Sequence, residues 1–194
     1  MAISLAKGGN VSLTKQAAEA GTSQLTALTV GLGWDARTTT GTDFDLDASA
    51  IAVKADGQVL SDKHFVFFNN LASPEGAVTL SGDNTTGAGE GDDETIVVNL
   101  GAVPAEIDKI VVPVSIYAAG ERTQNFGQVR NAYIRVVDQA GNELVRYDLS
   151  EDYSTETVVI FGEVYRNGAE WKFRAVGQGH NDLAGLARDY GVAV

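Results

Sequence analysis

The chain has 194 residues and a formal net charge of −12, with 44% hydrophobic and 21% charged residues. That length suits a single domain spanning residues 1–194 with a real core, and the composition is globular rather than disordered. The charge excludes unassisted binding to nucleic acid or to an anionic membrane, which need clustered Lys and Arg, and the lack of cysteine excludes disulfides, a thiolate nucleophile and cysteine-held zinc.

At the N-terminus, "MAISLAKGGNVSL" has one lysine and no apolar run of signal-peptide length. No segment approaches the roughly 20 apolar residues of a membrane span. The expectation is a cytoplasmic chain without membrane insertion. "LTKQAAEAGT" reads as a short helix that Gly21 stops. "TDFDLDAS" alternates Asp43, Asp45 and Asp47 with Phe44 and Leu46, a strand pattern with one apolar face. "IAVKADGQVL" places Asp56-Gly57 between two apolar arms, a hairpin signal.

Further along, "HFVFFNN" reads as an aromatic strand ending at Asn69 and Asn70, whose amides either supply ligands or make the turn. "KIVVPVSIYAA" is apolar on both faces, as a doubly covered strand would be, and Pro113 predicts a bulge or an edge position. "YIRVVDQAGNELVRYDL" turns at Ala140-Gly141-Asn142, and "GEVYRNGAEWKFRAV" turns at Asn167-Gly168. After that turn Trp171, Phe173 and Ala175 share one face and Lys172 and Arg174 the other. "NDLAGLARDYG" predicts a helix near Asn181–Tyr190, capped by Asn181 or Asp182 and stopped by Gly191. Many short strands and few helices predict a mainly β fold, a two-sheet antiparallel β-sandwich with short peripheral helices, one near the C-terminus.

The chemistry concentrates in two acidic clusters. In a strand, Asp43, Asp45 and Asp47 would line up about 7 Å apart on one face, where like charges repel. The second cluster, "GDNTTGAGEGDDE", offers Asp83, Glu90, Asp92, Asp93 and Glu94, with the amide of Asn84 and the hydroxyls of Thr85 and Thr86. Its glycines allow positive φ and inward-turned carbonyls. Carboxylates, amides and carbonyls without His or Cys are hard oxygen donors suited to Ca²⁺ or Mg²⁺. Calcium takes about 6–8 oxygens in flexible geometry, so a long ligand-rich loop favours it. The loop is not an EF-hand, because its third and fifth positions lack acids and no helix pair flanks it. The two clusters hold eight carboxylates, and removing them from a net charge of −12 leaves −4, so most of the acidic excess is local. Two divalent ions would offset half of those eight charges.

"VGLGWDAR", "FDLDAS", "FVFFNNLASPEGAV", "GDNTTGAGEGDDE", "QNFGQVRNAYIRVVD", "RYDLSED", "FGEVYRNGAEWKFRAVGQG" and "LARDYGV" together resemble the TerD/TerE family of tellurium-resistance and stress-response proteins, over nearly the whole chain. The resemblance implies a β-sandwich that binds two calcium ions in an acidic pocket, with no established enzymatic activity. It implies a place in a bacterial stress-response system and, as partners, other proteins of that system. Carried over by motif, the ion-binding candidates are Asp43, Asp45, Asp47, Asn69, Asp83, Asn84, Glu90, Asp92, Asp93 and Glu94. The segment "QAAEAGTSQLTALTV" is a few residues longer than the family pattern.

Other chemistry is poorly supported. His64 and His180 sit in no nucleophile or zinc motif and read as surface or packing residues. An acid cluster can position Mg²⁺ for phosphoryl transfer, which makes a divalent-metal-dependent enzyme acting on a phosphate ester the alternative function. Against it, there is no P-loop, and no Lys or Arg lies within either acidic cluster to clamp a phosphate. "FGQVRNAYIR" mixes arginines with aromatics, and reads as a strand exposing its arginines rather than a nucleic-acid surface. Trp34 reads as core, and Asp35 as an extra ligand or a turn residue. Without thiols, direct reduction of tellurite by this chain is not expected. If the loop and the "DFDLD" strand share ions, Asp45→Asn, Asp92→Asn or Asp93→Asn should weaken calcium binding and leave the metal-free protein equally or more stable.

Overall fold

Period-two burial and turn chemistry organise the chain. The computed structural model describes residues 2–149 and 153–194, so the end of the "RYDLSED" motif (150–152) lies outside the described residues. The strands are β1 (Ile3–Ser4), β2 (Asn10–Ser12), β3 (Ala27–Gly33), β4 (Leu46–Ala48), β5 (Ala50–Lys54), β6 (Phe65–Val66), β7 (Val78–Ser81), β8 (Glu94–Asn99), β9 (Ile107–Ile116), β10 (Tyr133–Asp138), β11 (Glu143–Asp148), β12 (Val158–Asn167) and β13 (Glu170–His180). Helices α1 (Leu13–Glu19), α2 (Ala119–Arg122) and α3 (Leu183–Asp189) are short and peripheral.

The strands form two sheets, in the orders β1-β11-β10-β3-β8-β7 and β2-β13-β12-β9-β5-β6, with β4 paired to β9 beside β5. Among the described residues every named ladder is antiparallel except β1 on β11. The expected sandwich is therefore present, with one short parallel edge.

Between the sheets lies one apolar core, to which Val30, Ile96 and Tyr147 contribute from the first sheet and Ile110, Phe161 and Phe173 from the second. Fully burying such a side chain stabilises the fold by roughly 1.5–3 kcal/mol. The outer face of the second sheet carries a smaller cluster, in which Ile51, Val111 and Ile160 meet Leu186 and Ala187 of α3. This explains why β9 is apolar on both faces. From Ile110 to Ile116 its even residues face the other sheet, and Val111 faces the helix.

Pro113 is not at an edge, because β9 lies between β12 and β5. The missing N–H is absorbed by irregularity on both sides. Opposite it, β12 slips register between Ile160 and Gly162, and on the other flank β4 gives way to β5, with Ser49 N–H donating to the Pro113 carbonyl at 2.9 Å. The slip also reverses parity: Val159 and Phe161, then Val164, all reach the inter-sheet core.

The turns follow their predicted residues. Gly57, Gly141 and Gly168 adopt positive φ at the three hairpins. The buried carboxylate of Asp138 organises the β10–β11 turn, accepting from Ala140 N–H, Asn142 N–H and the Thr22 hydroxyl. The longer N-terminal segment supplies the second half of α1, a helix capped by the Ser12 hydroxyl and followed by Gly21 at φ 97°. In α3, Asp182 caps the Gly185 N–H. Among the described residues no helix is long and apolar enough to cross a membrane.

Candidate metal centre

One end of the sandwich collects the start of β8, the acidic loop 82–93 that joins β7 to β8, strand β4 and the residues following β9. Three consecutive acids leave this loop in different directions. Asp92 turns to the outer side of the first sheet, where it receives Arg135 Nε at 2.8 Å, Arg135 Nη2 at 3.0 Å and the Tyr133 hydroxyl at 3.2 Å. Asp93 accepts from the Trp34 backbone N–H at 3.0 Å and from the Asn84 amide. Glu94 points inward, only 5% exposed, and its Oε2 accepts the backbone N–H of Ala48. That contact ties the first sheet to the second.

Beneath the loop lies a cavity of about 570 Å³, with Asp45, Asp47, Asp83 and Glu94 among its lining residues. Only Asp47 of the "DFDLD" triplet lies inside a strand, which corrects the expectation of a continuous strand there. Burial still alternates, with Phe44 and Leu46 in the core, because the Asp45 carbonyl accepts from Tyr117 N–H and extends the β4–β9 pairing outward.

Withdrawal from water pushes the Glu94 carboxyl from its ordinary 4.5 to about 8; the Ala48 N–H opposes this, and the charges of Asp47, Asp83 and Asp45 add to it. Asp47 rises to about 6, first by burial and then through Asp45 and Asp83. Asp45 is raised by burial, against the lowering effect of Arg122. Asp93 is also raised by burial.

The remaining candidates stand apart from this cavity. Asp43 and Glu90 are exposed, as is Asn69. Its neighbour Asn70 makes the turn, donating to the carbonyls of Lys63 and Phe65. Asn84 folds the loop on itself, its Oδ1 accepting from Thr86 N–H and Gly87 N–H at 3.1 Å each. Asp35 is held by the Asn131 amide instead of reaching the cavity. Among the described residues no group of three or more acidic or imidazole side chains is arranged to hold a metal ion as it stands. The donor set is nonetheless all oxygen, which suits a hard cation.

Several participants were invisible in sequence. Arg122 of α2 stands 3.8 Å from Asp45 and stacks over the Tyr117 ring at 5.2 Å, so a cation does lie beside the acids. Arg135 is not an exposed strand arginine but the clamp on Asp92 and, through Nη1, on Glu143 at 2.9 Å. His64 is buried, between the Ser61 hydroxyl and the Glu75 carboxylate, away from the cavity. No nearby signal ties these arginines to the acidic clusters, because Asp45 and Asp92 are far along the chain from them.

The family model described as the TerD domain matches residues 1–190. The chain belongs to the TerD family. It is 54% identical to the tellurium resistance protein TerD of Serratia marcescens, over 99% of this chain and 98% of that one. It is 52% identical to general stress protein 16U of Bacillus subtilis (strain 168), over the full length of both. A solved structure of a homologue of the telluride resistance protein TerD from Streptomyces coelicolor A3(2) superposes with a TM-score of 0.70 at 25% identity, covering 88% of this chain and 99% of that one.

Proposed function

We propose that this chain is a calcium-binding, non-enzymatic module of a bacterial tellurium-resistance and general stress-response system, acting as a scaffold or sensor through other proteins of that system. The system is inferred from TerD membership and from the names of the relatives. The ion is inferred chiefly from one observation. Four carboxylates from three segments, Asp45 and Asp47 at β4, Asp83 in the loop and Glu94 in β8, share a single cavity, where burial and mutual repulsion hold Glu94 and Asp47 far above their ordinary pKa. A divalent cation would reverse that repulsion, and an oxygen-only donor set favours calcium over softer ions.

Asp45, Asp47, Asp83 and Glu94 are the residues that would hold an ion in the cavity. A second ion would draw on loop residues now bonded within the protein, Asp93 to Trp34 and Asp92 to Arg135. An ion bound only by the folded state raises stability by roughly 2.7 kcal/mol at about a hundredfold excess over Kd. Thermal melts in chelator, calcium and magnesium test this. Calcium should raise the melting temperature clearly and magnesium less, while equal effects or none would overturn the calcium assignment.

One observation favours the second reading, metal-dependent chemistry on a phosphate ester. Arg122 beside Asp45 is a cation placed where a phosphate oxygen could be clamped. Turnover assays on a panel of phosphate esters with calcium or magnesium separate the two readings.

A further inference from the structure

Only four large hydrophobic side chains are well exposed among the described residues, and three of them, Phe68 (48%), Leu71 (57%) and Tyr117 (49%), line the acidic cavity. Scattered exposed apolar residues need no explanation, but here three are gathered on one rim, the arrangement in which exposed apolar surface becomes available to a ligand. Phe68 is braced edge-on by Phe67, which in turn stacks on Phe65 at 4.5 Å, so the rim is anchored in the apolar layer under α3. Tyr117 is braced by Arg122. Beyond Phe68 and Tyr117 the cavity continues into a second one of about 300 Å³, which shares Asp47, Phe68 and Tyr117 with the first and ends at Asn181–Leu183, before and within α3. The result is an elongated groove with apolar walls and carboxylates at its floor and far end.

We infer that this groove docks an extended segment of a partner protein in which a lysine or arginine is flanked by apolar residues. This rests on the reading that the chain works through protein partners. The apolar flanks cover Phe68, Leu71 and Tyr117, and the cationic group reaches Asp47 and Asp83. Charge decides the occupant. Nucleic acid and anionic membrane would both bring negative charge to an acidic floor, whereas a basic side chain complements it. Aromatic side chains that become desolvated on binding, such as Phe68 and Tyr117, carry much of the energy of protein interfaces. Because the same carboxylates serve both, calcium and the partner segment exclude one another.

The test uses the full chain and a fluorescent, end-blocked five-residue peptide with a central lysine between leucine and phenylalanine residues, followed by anisotropy in chelator. Two control peptides replace the lysine by glutamate or the apolar residues by serine. Binding of the first peptide at least tenfold tighter than either control supports the inference. So do losses of fivefold or more with the exposed-site substitutions Leu71→Ser and Asp83→Asn, whose folding is checked by circular dichroism. Equal binding of the lysine and glutamate peptides, or affinity unchanged by both substitutions, overturns it. Melts run in parallel judge calcium separately. If calcium stabilises the parent but not Asp83→Asn, so that the ion sits in the cavity, yet leaves peptide affinity untouched, the peptide does not occupy the acid floor and the inference fails. If calcium does not bind at all, the calcium reading fails, and the docking inference stands or falls on the substitutions and control peptides alone.

Discussion

Arg135 and Asp92 form a two-pronged ion pair, Nε to Oδ1 at 2.8 Å and Nη2 to Oδ2 at 3.0 Å, across the outer face of the first sheet. Planar fork geometry of this kind is stronger and more directional than a point-charge contact. It fixes the end of the acidic loop just before Glu94 enters β8. The pair therefore links an otherwise unexplained strand arginine to the placement of the cavity carboxylates.

If Asp92 is a pin for the loop, its removal should cost stability without any ion present. Asp92→Asn and Arg135→Met should each destabilise the metal-free protein by about 1–3 kcal/mol, since each breaks the two-pronged charged contact and leaves Arg135 with Glu143 alone or Asp92 with the Tyr133 hydroxyl alone. The double substitution should cost much less than the sum. Urea melts in chelator measure this. Asp92→Asn that leaves stability unchanged or raised would restore the expectation that Asp92 is a repelled ion ligand.

A glycine beneath the pair offers an independent check. A Cβ added at Gly31 would overlap the Asp92 carboxylate, so the carboxylate must move. Alanine normally suits a strand interior better than glycine, by roughly 0.5–1 kcal/mol. Here Gly31→Ala should instead destabilise, while in an Asp92→Ala background it should be neutral or stabilising. A stabilising Gly31→Ala in the parent protein would show that the loop does not press on this strand.

How much of this was legible depended on range. Hairpins at Gly57, Gly141 and Gly168 announced themselves locally, because positive φ selects glycine. The doubly apolar β9 likewise revealed a strand covered on both sides. The acidic candidates were named, but which of them converge was not readable, since Asp45, Asp47, Asp83 and Glu94 meet only through sheet packing. The same holds for Arg135, 43 positions from Asp92, and for Arg122. Asp92 and Asp93 look equivalent in sequence, yet one faces Arg135 and the other Trp34.

The raised carboxyls fix how stability should vary with pH. Glu94 titrates at about 8 when folded and near its ordinary 4.5 when unfolded, so between those values the folded state holds more protons. Stability of the metal-free protein must then fall as pH rises through that window, by at most roughly 1.4 kcal/mol per unit from this group. Asp47 adds to the decline below its folded value of about 6. Asp138 acts oppositely, its lowered pKa giving a contribution lost only in acid below that window. Denaturant melts in chelator should show a decline from pH 5 to pH 8 that Glu94→Gln flattens. A parent curve as flat as that of Glu94→Gln would mean that Glu94 is not held protonated.

The same proton gives the most specific test of where calcium binds. At pH 7 Glu94, at about 8, carries its proton, and an ion that uses this carboxylate must displace it. Calorimetric titration at pH 7 in two buffers of different ionisation heat should report release of about one proton per ion bound at this cavity. Affinity should rise about tenfold per pH unit until pH 8 and then level off, because above that point the carboxylate is already ionised. Below pH 6 the dependence should steepen as Asp47 also takes up a proton. Glu94→Gln should abolish the release at pH 7 and weaken binding at pH 9, where the parent has no proton to lose. Calcium binding without proton release at pH 7 would place the ion away from Glu94, among the exposed loop carboxylates, and would separate the buried acid from the metal site altogether.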